Sequence, residues 1–409
     1  MTSDAKAGRG GSRNRRKNDA KPTKERLMEA VVKAWADEGA DSLSVRWLAA
    51  EAGATQSAIA YHFDNLERLY VACADVAADR ARVWMGQTLD LFGGLRGEVL
   101  TSAARAAVIA AVIEDWTRAR RPLAMARRRS RALGYAGFEE SWHGFWRELA
   151  ALIGLDRHAP TLALFADGES ARHLLDWDPV MDSLLLAETV RALVGWLEAG
   201  EPGEDAVRRA HRRRAADAYE RPEGRDESAS RAIIEAAADL LAERGHAGVT
   251  FRAIAKRAGV TLGMVVHHCG TRSELLHRAL HGLYEREAMR AGAGGLAALS
   301  FAPEEMVELV LGAIASGSQP VLRAYDEIEL AIYNEAEFEG LRGVVRSMDD
   351  PSGAWSLGQL LGGDVPAASL VAAYSATIRG IGFMAGPARG LSGEDLAYAR
   401  RGIEAFVRA

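Results

Sequence analysis

Cysteine is almost absent: Cys73 and Cys269 are the two in 409 residues, which excludes a disulfide framework and fits a reducing compartment. Long apolar runs are missing as well. The longest uncharged stretches, such as Val365 to Ile378, fall short of the roughly 18 residues that a membrane span needs, and Ala106 to Ile113 is shorter still. The amino-terminal segment is polar and basic with no apolar stretch behind it, so no secretory leader is expected. Alternating runs of β-branched residues hardly occur, while Ala, Leu, Arg and Glu fill most windows at helical spacing; the expected fold is all-α. A nucleophile elbow, a zincin helix, a phosphate loop and a dinucleotide fingerprint are each missing. Gly292 to Gly295 lacks the Lys and the preceding strand of a phosphate loop and reads as a loop between helices. No enzyme, catalytic residue or cofactor is expected.

What is there is an ordinary globular composition, 48% hydrophobic and 26% charged, in a chain long enough for two or three domains with proper cores. The formal net charge of -5 averages over strong local imbalances. The chain also repeats itself. Shifted by 206 residues and without a gap, Glu29, Ala30, Ala36, Gly39, Arg46, Ala49, Ala52, Gly53, Thr55, His62 and Leu69 superpose on Glu235, Ala236, Ala242, Gly245, Arg252, Ala255, Ala258, Gly259, Thr261, His268 and Leu275. Leu43/Val249, Ser44/Thr250, Leu48/Ile254 and Ile59/Val265 are conservative pairs under the same shift.

Each copy opens with a helix, about Lys24 to Glu38 or Ser230 to Arg244, that stops at Gly39 or Gly245, residues able to take the left-handed conformation. Ser44 and Thr250 stand at the N-cap of a second helix, which buries Val45, Leu48 and Ala49, or Phe251, Ile254 and Ala255, and ends at Gly53 or Gly259. A third short helix starts at the capping residues Thr55 and Thr261. Two helices across a tight glycine turn form a helix-turn-helix. Its third helix projects Gln56, Ser57, Ala58, Tyr61 and His62 outward in copy one, and Leu262, Gly263, Met264, His267 and His268 in copy two, groups suited to base edges and phosphates. A basic arm, Lys6, Arg9, Arg13, Arg15, Arg16, Lys17, Lys21, Lys24 and Arg26 against Asp4, Asp19 and Glu25, precedes copy one and can follow a minor groove. A plain helical hairpin with a solvated polar face explains one copy; recurrence plus the arm favours DNA.

These segments resemble the TetR family of one-component transcriptional regulators. The likeness runs through Ser44-Val45-Arg46-Trp47-Leu48-Ala49, Gly53-Ala54-Thr55, Ile59 and Tyr61-His62-Phe63, and again through Thr250-Phe251-Arg252-Ala253-Ile254-Ala255, Gly259-Val260-Thr261, His267-His268 and Ser273-Glu274-Leu275-Leu276. It covers about 50 residues of each half. Ala60 and Val266 stand where the family carries an aromatic, Leu66 where it carries a Lys, and Cys269 replaces the core residue Phe63, which makes the second module looser. The resemblance implies an all-α chain with two helix-turn-helix DNA-binding domains, each followed by a helical-bundle regulatory domain, in pseudo-twofold arrangement. Expected boundaries are a disordered arm 1–21, a first DNA-binding domain 22–75, a first regulatory domain 76–217, a linker 218–229, a second DNA-binding domain 230–285 and a second regulatory domain 286–409. The implied partners are double-stranded operator DNA and a small, apolar or aromatic effector, with no membrane partner, in a prokaryotic cytoplasm at the nucleoid. Ser44, Arg46, Thr55, Thr250, Arg252, Thr261 and Arg272 join the two recognition sets as DNA contacts. The expected regulator is a ligand-responsive repressor reading an asymmetric operator. The competing class is a ligand-binding or scaffold protein with a degenerate second helix-turn-helix.

Three further patterns have plainer explanations. His267, His268, Cys269, His277 and His281 suggest a metal site, yet His268 is the counterpart of His62 and Cys269 of a core Phe, so no metal is expected. The runs Arg118, Arg120, Arg121, Arg127, Arg128, Arg129, Arg131 and Arg208, Arg209, Arg212, Arg213, Arg214 read as solvated helix faces. Trp84, Trp116, Trp142, Trp146, Trp177 and Trp196 concentrate in the first regulatory region; Trp116, Trp142, Phe145 and Trp146 are candidate pocket lining there, and Tyr325, Tyr333, Asn334, Phe338 and Tyr374 in the second. The duplication predicts an intramolecular pseudo-dimer through Met181 to Ala199 and Ala367 to Met384, with further homodimerisation open.

Overall fold

The computed structural model describes residues 21–37, 44–132, 135, 137–175, 178–218, 228–291, 299–315, 328–329, 351–385 and 391–407. Among them there is no strand, and the chain is all-α. The first half comprises α1 (Thr23–Asp37), α2 (Val45–Glu51), α3 (Gln56–Phe63), α4 (Leu66–Phe92), α5 (Ser102–Glu114), α6 (Arg121–Ala132), α7 (Glu139–Leu152), α8 (Ala159–His173), α9 (Pro179–Ala199) and α10 (Ala206–Ala218). A π-helical turn, Asp115–Ala119, joins α5 to α6. The second half comprises α11 (Ser228–Gly248), α12 (Phe251–Ala258), α13 (Leu262–Cys269), α14 (Arg272–Ala291), α15 (Pro303–Ala315), α16 (Pro351–Leu360), α17 (Ala368–Ala385) and α18 (Gly393–Glu404). The arm (1–20), most of the expected linker (219–227), Gly292 to Gly295 and four of the second-half pocket candidates, Tyr325, Tyr333, Asn334 and Phe338, lie outside the described residues.

The local punctuation follows the sequence. Ser44 accepts from Trp47 N at 3.1 Å, Thr250 from Ala253 N at 3.2 Å and Thr261 from Met264 N at 3.3 Å, each satisfying an amide that has no partner inside its helix. Gly53, Gly245 and Gly259 take φ of 56°, 68° and 67°. Thr55 differs: its side chain makes no cap bond, and its hydroxyl lies 3.0 Å from that of Ser57.

One apolar core runs from Leu27, Trp35 and Leu48 in the first helix-turn-helix, through the first regulatory helices, to Met306, Leu370 and Phe406 near the end of the chain. The second helix-turn-helix has a core of its own, from Ile233 to Leu283, joined by Ile328. The helical bundles of the two halves meet chiefly where α17 crosses α8, with α9 a secondary partner. The expected pairing through Met181 to Ala199 is corrected in part: α9 does meet α17, but the closest crossing uses α8, where Gly168 faces the α17 backbone, while Gly195 of α9 faces Glu201 instead. A methyl group on Gly168 would sit 1.9 Å from the Ala376 carbonyl oxygen, and one on Gly380 would sit 2.0 Å from that of Leu164. Only hydrogen fits at either place, and the two contacts are reciprocal, as a local twofold requires.

The reading of the arginine runs is corrected in part: Arg209, Arg213 and Arg214 are exposed as expected, but others are not. Arg127 and Arg128 are 3% and 6% exposed, not solvated. Arg127 donates to Asp167 at 3.1 Å and to Glu139 at 3.1 Å, Arg131 donates to Glu139 at 3.1 Å and pairs with Asp167, and Arg128 donates to the Ala171 carbonyl at 3.1 Å. Burial by itself would raise the Glu139 carboxyl, but the Arg127 and Arg131 guanidinium groups hold it down at about 2. Arg208 is buried as well, and its amide donates to Glu188 at 2.7 Å. Such charges go inside because carboxylates elsewhere in the chain compensate them.

Candidate nucleic-acid interface

In copy one, α2 buries Leu48 and Ala49 against α1 and α3, leaving Ser44 and Arg46 exposed at its start. Ala54 N donates to Ala49 O at 2.8 Å and Gly53 N to Ala50 O at 3.0 Å, bonds that close the turn and set the angle at which α3 leaves. On α3 the inward side chains are Ile59 and Phe63. Gln56, Ser57, Ala60 and Tyr61 form the outward face, with Tyr61 84% exposed. His62 is half-buried, its ring 4.9 Å from that of Tyr61. Ala58 departs from expectation, since it is half-buried against the core. Lys24, where the arm enters α1, stands 5.7 Å from the Phe63 ring centre.

Copy two repeats the build with other chemistry. Ile254 and Ala255 are buried on α12, and Val265, His268 and Cys269 on α13. Leu262, Gly263, Met264, Val266 and His267 face outward. His268 is a correction: at 6% exposed it faces the core and cannot reach a base edge. It follows Val265 by one helical turn and shares its inward face. Arg272 is half-buried at the start of α14. Burial pushes the Cys73 and Cys269 thiols up, away from the thiolate form that a nucleophile or a metal ligand needs. Among the described residues no three His, Cys, Asp or Glu groups gather as a metal site would require; burial, then the neighbouring His281, pushes the His277 imidazole down.

Charge separates the copies further. Glu51 on α2 pairs with Lys33 of α1 at 2.7 Å. At the same two positions of copy two, Arg257 on α12 faces Asp239 of α11 at 3.6 Å, with Glu243 adding bonds of 2.5 and 2.6 Å. The helix–helix ion pair survives duplication with its polarity reversed. As a result α12 carries Arg252, Lys256 and Arg257 with no carboxylate, against Arg46 and Glu51 on α2. Sequence reasoning missed three exposed positions, Ala60, Val266 and Lys256. Helical period was the available signal, because Ala60 and Val266 lie one turn beyond Gln56 and Leu262 on the outward face.

In the first-half bundle Trp116, Trp142, Phe145 and Trp146 come together and are buried. Trp84 and Trp116 lie 4.8 Å apart between ring centres, Trp116 and Trp142 5.4 Å, and Trp142 and Trp146 6.0 Å, and the Arg127 guanidinium lies 4.2 Å from the Trp142 ring centre. Tyr374, the described candidate of the second half, packs 5.3 Å from Phe406 and is buried. At these distances the rings fill one another's space.

Two segments of the chain, 27–73 and 233–279, match the family model described as bacterial regulatory proteins, tetR family. They coincide with the two helix-turn-helix modules and their following helices. The chain therefore carries two segments similar to the TetR family, in tandem. It is 45% identical over 71 residues both to the HTH-type transcriptional repressor Rv3405c of Mycobacterium tuberculosis and to the HTH-type transcriptional regulator Mb3439c of Mycobacterium bovis. Each match takes in 17% of this chain and 37% of the relative's own length. Among the described residues no helix is long and apolar enough to cross a membrane.

Proposed function

We propose that the chain is a DNA-binding transcriptional repressor, not an enzyme, whose two unlike recognition helices read an asymmetric operator. The observation that carries this reading is the pair of outward faces: Gln56, Ser57, Ala60 and Tyr61 on α3 against Leu262, Gly263, Met264, Val266 and His267 on α13. Gln56 can bond adenine bidentately and Tyr61 can reach a phosphate or a thymine methyl, whereas α13 offers mainly apolar contact to thymine methyls. Identical heads demand a palindrome; unlike heads do not. Arg46, Arg252, Lys256 and Arg272, with the arm at residues 1–21, supply phosphate contacts. The division at 22–75, 76–217, 230–285 and 286–409 belongs to the same proposal, as does a small apolar or aromatic effector acting on the bundle around Trp116 and Trp142.

Footprinting on DNA flanking the chain's own gene, followed by half-site selection, tests the reading. Gln56→Ala with Tyr61→Ala should relax one half-site by about 1 to 3 kcal/mol, while Met264→Ala weakens the other by less. Two identical half-sites, equally weakened by changes in either copy, would overturn the asymmetric operator. Binding with no salt dependence would overturn the DNA reading itself.

A further inference from the structure

The reciprocal contacts of Gly168 with Ala376 and of Gly380 with Leu164 set the correspondence between α8 and α17. The same offset that matches Leu164 to Ala376 and Gly168 to Gly380 matches Asp167 to Arg379. In the preceding segments, aligning Pro122 with Pro320 matches Arg128, Arg129 and Arg131 to Asp326, Glu327 and Glu329. Both halves thus place one ion pair at one position of the bundle. In the first half it is Arg131 with Asp167, and in the second it is Glu329 with Arg379, bonded at 3.2 Å through one of two contacts. The polarity is opposite. Asp167, Glu329 and Arg379 are all buried.

These pairs touch across the boundary between halves. Arg128 donates to Glu329 at 3.4 Å, so one carboxylate serves an arginine from each half. The Phe383 ring of α17 takes the Arg131 guanidinium at 4.8 Å and that of Arg379 at 5.5 Å. Replacing the second half by another copy of the first would put an arginine where Glu329 stands, facing Arg128, and an aspartate where Arg379 stands. Like charges would then meet in a dry interface, where an uncompensated ion is most costly.

We propose that the buried charge swap makes the pairing face of each half specific for the other half, so that the occupant of the α8 face is α17 of the same chain and not a second α8. The swap selects a fused, one-chain pseudo-dimer over a dimer of chains joined through like halves. Unlike a general stabilising contact, it sets which partner is accepted.

The test is a charge cycle in the full-length chain, read by light scattering from nanomolar to micromolar protein, with circular dichroism and thermal melting alongside. Wild type should keep the mass of one chain throughout. Glu329→Arg with Arg379→Asp preserves an ion pair inside the second half but gives it the polarity of the first, leaving Arg128 against an arginine. This variant should melt earlier, and its mass should rise with concentration or its helix content fall. Adding Arg128→Glu restores an attractive contact and should return the one-chain mass and raise the melting temperature again. The proposal is overturned if the double variant keeps wild-type mass and melting, or if the triple variant is no closer to wild type than the double. None of these readouts uses DNA, so their failure and the failure of the operator reading are separately visible.

Discussion

The two helix-turn-helix modules share a backbone plan and differ in what they are attached to. The first merges with the core that runs through the helical bundles of both halves, and the second folds around its own smaller core, with Ile328 its one described contributor from beyond α14. Side-chain size follows the same division: Trp35 and Phe63 of copy one correspond to Leu241 and Cys269 of copy two, all buried. Duplication preserves what a local turn requires, the cap hydroxyls and left-handed glycines, because each answers a backbone need that any copy of the motif shares. Packing volume and charge sign drift, because a neighbour can change with them.

Four measurements test how far the two halves differ. The largest effect is expected at the crossing that the halves share. Gly168→Leu and Gly380→Leu should each destabilise the chain by about 4 kcal/mol or more, above the usual overpacking cost because the obstacle is backbone. Equal losses in thermal unfolding would fit the local twofold, and a tolerated change at either glycine would break it.

Next come the module cores. Leu48→Ala and Ile254→Ala each remove a fully buried side chain and should cost about 3 kcal/mol locally. The first should lower the main unfolding transition, and the second should loosen only residues 230–285, as seen by amide hydrogen exchange. That module contains no tryptophan, so tryptophan fluorescence should register Leu48→Ala and miss Ile254→Ala. A single common transition for both variants would make the two cores one.

A smaller effect is expected from acid. The Glu139 carboxyl ordinarily titrates near 4.5 and is held at about 2 in the folded chain. A depressed carboxylate contributes stability that is fully present above about pH 4.5 and is lost as pH falls toward 2. Since Glu139 and Trp142 both contact Arg127, tryptophan emission should shift as pH approaches 2, and Glu139→Gln should remove the shift. An unchanged acid profile in Glu139→Gln would detach this carboxylate from the stability of the first half.

The smallest effect concerns phosphate contact. Lys256→Ala should reduce the salt slope of DNA binding by about one unit while leaving sequence preference unchanged. Altered preference with an unchanged slope would make Lys256 a base reader instead.

Much of the plan was legible in the residues alone. Ser44, Thr250 and Thr261 cap as read, Gly53, Gly245 and Gly259 turn as read, and the repeat at 206 residues announced two units of one family. Such features depend on bonds between residues no more than a few positions apart, where sequence and space are nearly the same thing. His268 misled because its counterpart His62 is only half-buried, whereas the second ring lies inside, next to Cys269 where copy one has the larger Phe63. Arg127 and Arg128 misled for a deeper reason. A run of arginines is written in one helix, but the carboxylates that allow it to be buried, Asp167 and Glu329, stand about 40 and 200 positions further along the chain, and burying an ion is possible only where such partners converge. Residue order alone was enough for the helix-turn-helix helices, most of their caps and turns, and most of their outward faces. Which charges lie inside, and that α8 meets α17, was settled by the folded arrangement, because those outcomes rest on distant groups arriving at one dry place.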